Sequence, residues 1–413
     1  MLSRAPRKPA GRAVQTLEVR LGPTLVGTLV HLGNEDIVFT FDGAYVEDID
    51  HRPTLSLSYK AADGGLLHRT RPSHVKLPPF FSNLLPEAHL REYLAERGGI
   101  HQDREFFLLW LLGADLPGAV VVRAIDGNAP LPPDETGDRP RRRNAPLRFS
   151  LAGVQLKFSA VMETAGGLTV PASGIGGDWI VKLPSPRFAH VPENEYAMMT
   201  LARAVGINVP DVRLVDTSQI DGLPRGLAEA FGQSLAVRRF DRPAMGARVH
   251  IEDFAQVFGV YPRQKYERAS YGSIARVLWL ETGADGVAEF TRRLAFNALI
   301  GNADAHLKNW SLMYPDGRTP ALAPAYDLLS TIPYLADDGL ALSLGETKAF
   351  ARVDVERFRR FADQAGLPAR LVVQTARETA AKVRDLWPSH APRRVLRKSM
   401  RDAISRHMRA VPL

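Results

Sequence analysis

The 413-residue chain contains no cysteine. That absence excludes disulfides, thiolate zinc sites and cysteine nucleophiles, and it permits a reducing, cytoplasmic setting. No stretch approaches the ~20 consecutive apolar residues that a membrane-spanning helix needs, so no membrane role is expected. The basic residues 1–15 lack the apolar segment of a secretory signal and read as a disordered tail. Internal repeats are missing, and so are glycine-rich phosphate loops of GxGxxG or Walker spacing. Charge of one sign is in short excess: 53 Lys and Arg against 45 Asp and Glu leave +8 and a pI near 9.7. Such an excess suits a polyanionic ligand and equally a solvated basic face.

What is present is an ordinary globular composition, 45% hydrophobic and 24% charged, in a chain long enough for two or three lobes. Residues 16–21, 25–32, 36–41 and 54–59 are short β-rich runs that predict a small antiparallel sheet. The apolar spacing then changes to three and four, predicting helices over 85–94 and 103–112. Residues 126–147 hold five prolines and two glycines and read as a linker or mobile loop. Beyond a turn-rich segment at 150–177, strands are predicted at 179–183, 212–215 and 234–240, with a helix over 193–205. Further helices are predicted over 252–259, 288–300, 354–365, 368–386 and 392–411. The resulting division is a tail at 1–15, an N-terminal unit at 16–125, the linker, a β-rich lobe at 148–243 and a helical lobe at 244–413. The order of β-rich before α-rich material predicts an α+β, two-lobed protein-kinase-like fold with an additional N-terminal β-rich subdomain and an α-helical C-terminal lobe.

Asp304, Asn309 and Asp327 follow the order in which kinases deploy a base and two magnesium ligands. Phosphoryl transfer demands a carboxylate to orient a hydroxyl and hard oxygen donors for Mg²⁺. The same residues can instead cap helices or turns. Lys182 is flanked by strand hydrophobics, which places it at an exposed edge or in a cleft near ATP phosphates. Glu193 and Glu195 open the next helix, either for the helix dipole or, through Glu195, as a partner of Lys182. Ser150 to Lys157 and Gly174 to Gly177 are two candidate phosphate-facing turns, the second also a hairpin turn. Arg238, Arg239 and Phe240 end a strand where an interlobe hinge would meet adenine, although a single aromatic is often core. Arg393, Arg394, Arg397, Lys398, Arg401, Arg406 and Arg409 form a basic C-terminal face, open to a nucleic acid, an acidic partner or solvent.

Six ordered motifs, SLAGVQLK from Ser150, WIVKLP from Trp179, ENEY from Glu193, AVRRFDR from Ala236, GNADAHLKN from Gly301 and AYD from Ala325, resemble those of the HipA family of toxin serine/threonine kinases. VGTL from Val26 and PPFFSNLLP from Pro78 extend the resemblance over residues 16–390. The resemblance implies an ATP- and Mg²⁺-dependent toxin that phosphorylates an aminoacyl-tRNA synthetase and pairs with a helix-turn-helix antitoxin, meeting DNA only through it. It implies Asp304 as base, Asn309 and Asp327 as magnesium ligands, and Lys182 on the phosphates. Ala152, Gly153, Val154, Gln155, Leu156 and Lys157 would face the phosphates, and Arg238, Arg239 and Phe240 the adenine. His306, Leu307, Lys308 and Tyr326 complete the implied nucleotide site, and Ser150 resembles a self-silencing autophosphorylation site. Ala305 stands where glycine is common and Arg238 where a carboxylate is common. A small-molecule kinase and a non-catalytic bridge to a DNA-binding antitoxin are the competing readings.

Overall fold

The computed structural model describes residues 15–125, 157–162, 168–170, 176–223, 232–244, 246–335 and 339–413. Residues 1–14 of the expected tail, the linker, Ser150, and Ala152 to Leu156 lie outside the described residues, whereas Gln15, expected to end the tail, opens the first strand.

The N-terminal unit is built on strands β1 (Gln15–Leu21), β2 (Thr24–His31), β3 (Asp36–Phe41), β4 (Ser73–His74) and β5 (Val120–Ala124), in the order β4-β3-β2-β1-β5. Their pairings are antiparallel. Period-two alternation turns Leu17, Val19, Ile37, Phe39 and Val122 to one face, as a pleated strand must. Helices α1 (Gly43–Glu47), α2 (Pro79–Ser82), α3 (Ala88–Gly98) and α4 (Glu105–Leu112) accompany the sheet. Phe80, Phe81, Phe106 and Phe107 from α2 and α4 share its apolar core. Residues 54–59 are not the expected strand. They end in a 3-10 turn at Leu57–Tyr59, because their polar groups are spent on a different unit: Thr54 N–H bonds to Gly317 O at 2.8 Å, and Ser56 and Leu57 bond to Glu252.

A second sheet holds β6 (Lys157–Met162), β7 (Leu168–Thr169), β8 (Trp179–Lys182), β9 (Val212–Asp216), β10 (Ile220–Asp221) and β11 (Gln233–Arg238), ordered β10-β7-β6-β8-β11-β9. The segment expected to be turn-rich also contributes β6 and β7. Helix α5 (Val191–Val205) follows β8. The third sheet, β12 (His250–Asp253), β13 (Ser311–Tyr314) and β14 (Ala321–Leu322), corrects the helix expected over 252–259. Only α6 (Phe254–Val257) is helical, started by a capping box between Asp253 and Gln256.

The helical part comprises α7 (Tyr271–Ile300), α8 (Val355–Ala365), α9 (Ala369–Leu386) and α10 (Lys398–Ala410), whose apolar faces form one large core. Helix α7 begins well before the expected residue 288 and is broken at Gly283, φ 66° and ψ −152°. The expected helix over 392–411 divides into a 3-10 turn, Ala391–Val395, and α10. None of the helices among the described residues is long and apolar enough to cross a membrane.

The seam between the N-terminal unit and the third sheet is closed by a buried carboxylate. Glu252 Oε1 accepts from Leu57 N–H at 2.9 Å, Oε2 from Ser56 Oγ at 2.5 Å, and Tyr314 donates as well. Burial pushes its carboxyl up from 4.5 to about 7 despite these donors. A carboxyl that binds its proton more tightly when folded loses stability as pH rises from its unfolded to its folded pKa. Neighbouring His250, pulled down to about 4 by burial, contributes with the opposite sign between about 4 and 6.5. Glu252→Gln leaves the His250 contribution in place, so the difference between the two proteins isolates Glu252. We expect denaturant unfolding to show the wild type losing about 2–3 kcal/mol relative to Glu252→Gln between pH 4.5 and pH 7.5. A pH-independent difference would show that folding does not raise the Glu252 pKa.

Candidate active site

Helix α7 ends at Gly301, which adopts φ 68° and is packed so closely that a Cβ would lie 2.2 Å from Ile332 Cγ1. Only glycine meets both demands. The loop that follows is held by buried polar groups. Asn302 Nδ2 donates to Asn297 Oδ1 at 2.8 Å, and its Oδ1 accepts from Asp304 N–H at 3.0 Å. Tyr271 Oη and Trp310 Nε1 each donate to Ala305 O at 3.1 Å. Asn309 Nδ2 donates to Asp304 O at 2.6 Å, which leaves its Oδ1 as an acceptor. The Asp304 carboxylate is 51% exposed at the surface of an otherwise rigid loop.

Asn302 also reaches Asp327 O at 3.3 Å, linking the loop to the second carboxylate. Asp327 adopts φ 54°, a left-handed conformation uncommon outside glycine, Asn and Asp. Its Oδ1 meets Lys182 Nζ and its Oδ2 lies 3.1 Å from Lys157 Nζ. Lys182 Nζ is in turn bonded to Glu195 Oε1. The alternative of an exposed edge for Lys182 is excluded: β8 lies between β6 and β11, and Lys182 is 4% exposed. Of the two glutamates that open α5, Glu193 bonds to His190 and Glu195 takes the lysine. Burial alone would raise the Asp327 pKa, but Lys157 and Lys182 hold its carboxyl far below the usual carboxylate range. Burial would likewise lower Lys182, and Asp327 and Glu195 instead raise it. Glu195 itself is pushed up, first by burial and further by Asp327.

Asn309, Tyr326 and Asp327 line one small cavity together with Asn302. Tyr326 Oη donates to Lys308 O at 2.8 Å, and its ring lies 5.9 Å from that of Phe240. Five other candidate residues have side chains that are buried or paired within the protein. The Arg239 side chain forms a bidentate pair with Asp241, at 2.9 and 2.7 Å, within a buried cluster containing Asp115 and Arg242, which leaves only its backbone for the expected hinge role. Lys308 Nζ is bonded to Asn83 O, Asn83 Oδ1 and Asp253 Oδ2 at 2.9, 3.1 and 2.9 Å, tying the loop to the N-terminal unit and to the end of β12. Leu307 has a fully buried side chain and bonds through its N–H to Lys265 O. Arg238 pairs with Asp178 at 3.2 Å. His306 is buried, and burial pulls it down to about 4. Asn302 and Asp241 were not singled out by sequence reasoning although both lie inside quoted motifs. A buried polar side chain is indistinguishable from an exposed one in sequence.

Residues 17–123 match the HipA N-terminal domain family and residues 149–387 the HipA-like C-terminal domain family. The chain belongs to the HipA family. It is 53% identical, over 97% of its own length and 98% of the relative's, to the Sinorhizobium fredii protein named "Putative kinase Y4dM". It is 27% identical, over 89% and 87% of the two chains, to the serine/threonine-protein kinase toxin HipA of Shewanella oneidensis. Its fold matches the toxin–antitoxin complex of HipA, HipB and operator DNA from Shewanella oneidensis MR-1 with a TM-score of 0.70, at 23% identity and covering 96% and 95% of the two chains. The protein is thus a HipA-family kinase with the mixed α and β, kinase-like architecture of that family.

The site suits the magnesium nucleotide that kinases use. Asn309 Oδ1 and the ionised Asp327 are hard oxygen donors of the kind Mg²⁺ takes, and Lys157 and Lys182 bring two ammonium groups to the same carboxylate. These cations are paired with Asp327 and Glu195. Lys182→Met would leave two carboxylates facing each other in a largely buried site. We expect it to destabilise the fold by about 3–5 kcal/mol, with the loss shrinking at low pH as the carboxyls protonate. Denaturant titrations at pH 5 and pH 8 measure it, and an unchanged midpoint would show that the junction is hydrated and energetically idle.

Proposed function

We propose that this HipA-family kinase is the serine/threonine protein kinase toxin of a toxin–antitoxin pair. It transfers the γ-phosphate of ATP to a serine of a protein, with an aminoacyl-tRNA synthetase as the target class. The observation that carries the reading is the meeting of Lys182, Glu195 and Asp327 beside a loop that presents Asp304 and Asn309. Charge neutralisation on the phosphates is what bound Mg²⁺ supplies. Asn309 and Asp327 hold it, and Lys182 and Lys157 hold the phosphates by charge-assisted hydrogen bonds. Phe240 and Tyr326 border the adenine side. Asp304 orients the acceptor hydroxyl and takes its proton as the serine oxygen bonds to the γ-phosphorus and the bond to the β,γ-bridging oxygen breaks, releasing ADP. A HipB-like helix-turn-helix antitoxin is the proposed partner, with DNA reached through it and a cytoplasmic location. The family assignment and the Shewanella complex containing HipB support that partnership.

Asp304→Asn should lower phosphoryl transfer at least ~10²-fold with the fold retained, and Asp327→Ala should lower it at least as much while also costing stability, because Lys182 and Lys157 each lose a partner. Turnover of γ-labelled ATP in magnesium, with circular dichroism as control, tests this, and near-normal turnover by a folded Asp304→Asn protein refutes it.

Ser150 is the proposed self-silencing site. Its phosphate would add roughly −1.5 to −2 charges next to the segment expected to face ATP, and the nearby Arg141, Arg142 and Arg143 would pair with it. Mass spectrometry after incubation with ATP should find phosphoserine at 150 in wild type and not in Asp304→Asn. Active protein that never modifies Ser150 would exclude the mechanism.

A further inference from the structure

Asp304 has its backbone fixed on both sides, its N–H by Asn302 and its carbonyl by Asn309, yet its side chain stands half in solvent. A carboxylate in that position rotates freely unless something holds it, and a base that must meet a hydroxyl within about 3 Å is slowed by each unproductive rotamer. Among the described residues, the hydrogen bond that the carboxylate receives comes from Tyr266, whose Oη donates to Asp304 Oδ1. His306 Nε2 faces the same oxygen from 3.8 Å.

Tyr266 is itself built into place. Its ring meets the His306 imidazole edge-on, with centroids 4.9 Å apart and planes at 83°. Lys265 Nζ sits 5.7 Å from the ring centroid and is anchored to Glu87 Oε2 of the N-terminal unit at 2.7 Å. Lys265 O accepts from Leu307 N–H at 3.3 Å, joining this segment to the catalytic loop. The phenol is therefore delivered to Asp304 by a strut that runs from the N-terminal unit, and it occupies one carboxylate oxygen only.

We propose that Tyr266 is a positioning residue for phosphoryl transfer. Its hydroxyl pins Oδ1 of Asp304 so that Oδ2 is presented to the acceptor hydroxyl. This rests on Asp304 being the base. It adds no proton transfer of its own, because the tyrosine proton stays on the phenol while the acceptor proton goes to Oδ2.

The test uses full-length protein with Mg²⁺ and γ-labelled ATP, reading phosphate release and transfer to protein serine. Tyr266→Phe keeps the ring against His306 and removes only the donor. It should lower kcat about tenfold or more while the KM for ATP stays within about twofold, with an unchanged melting temperature. In an Asp304→Asn background the same substitution should have no further effect on residual turnover, because nothing is left to position. Wild-type or raised kcat in Tyr266→Phe overturns the proposal, as does a loss confined to ATP affinity or one that persists undiminished on Asp304→Asn. These outcomes differ from failure of the base assignment itself, which an active Asp304→Asn protein would reveal.

Discussion

The ion-paired junction of Lys182, Glu195 and Asp327 is the constraint around which the two lobes are arranged. It joins β8, α5 and the segment after β14, elements separated by up to 145 residues. Buried charges are tolerated only when every partner is present, since losing one leaves an uncompensated ion. The junction therefore specifies how the strand sheet sits on the helical part, and it holds Asp327 ionised. Lys157, from β6 beside β8, adds a second cation to the same carboxylate.

The N-terminal unit is bound to the rest by the same kind of chemistry. Glu252 gathers Ser56, Leu57 and Tyr314. Asp241 receives Gly118 N–H at 2.9 Å as well as Arg239, and Arg242 spans Asp115, Leu116 O and Gly118 O. Lys308 and Lys265 reach Asn83 and Glu87. Apart from the Glu252 contact, which ends on β12 and β13, these contacts end on parts of the candidate site: the segment after β11, the loop that presents Asp304, or the segment carrying Tyr266. The N-terminal unit is in this sense a scaffold for the site, and its polar seams are directional where a purely apolar seam would tolerate sliding.

Much of the architecture was legible because it depends on local pattern. The alternation in residues 16–41 matches β1 to β3, and the spacing in 354–386 matches α8 and α9, since each element buries a face whose period the sequence displays. Misreadings arose where a partner outside the segment decided the outcome. Residues 54–59 have strand composition but find their hydrogen bonds on Glu252 and Gly317. Residues 250–253 pair with β13, which overrode the helical spacing that begins at Glu252. Gly283 concealed the first half of α7 because its non-helical backbone kinks the chain between two helical stretches whose apolar spacings do not run on from one another.

The same division runs through the candidate site. The sequence by itself determined the family, the order Asp304, Asn309, Asp327, and the presence of a strand lysine followed by a glutamate at the start of the next helix, because those are statements about residue type and spacing. Tertiary structure alone decided that Glu195 is spent on Lys182 and not only on the helix dipole, and that the Arg239 and Lys308 side chains pair with Asp241, Asn83 and Asp253. It also decided that Tyr266, 38 residues before Asp304, meets its carboxylate. The physical reason is that a charged or polar side chain acquires its role from the partner that satisfies it when water is removed, and that partner is chosen by packing over distances sequence spacing does not encode.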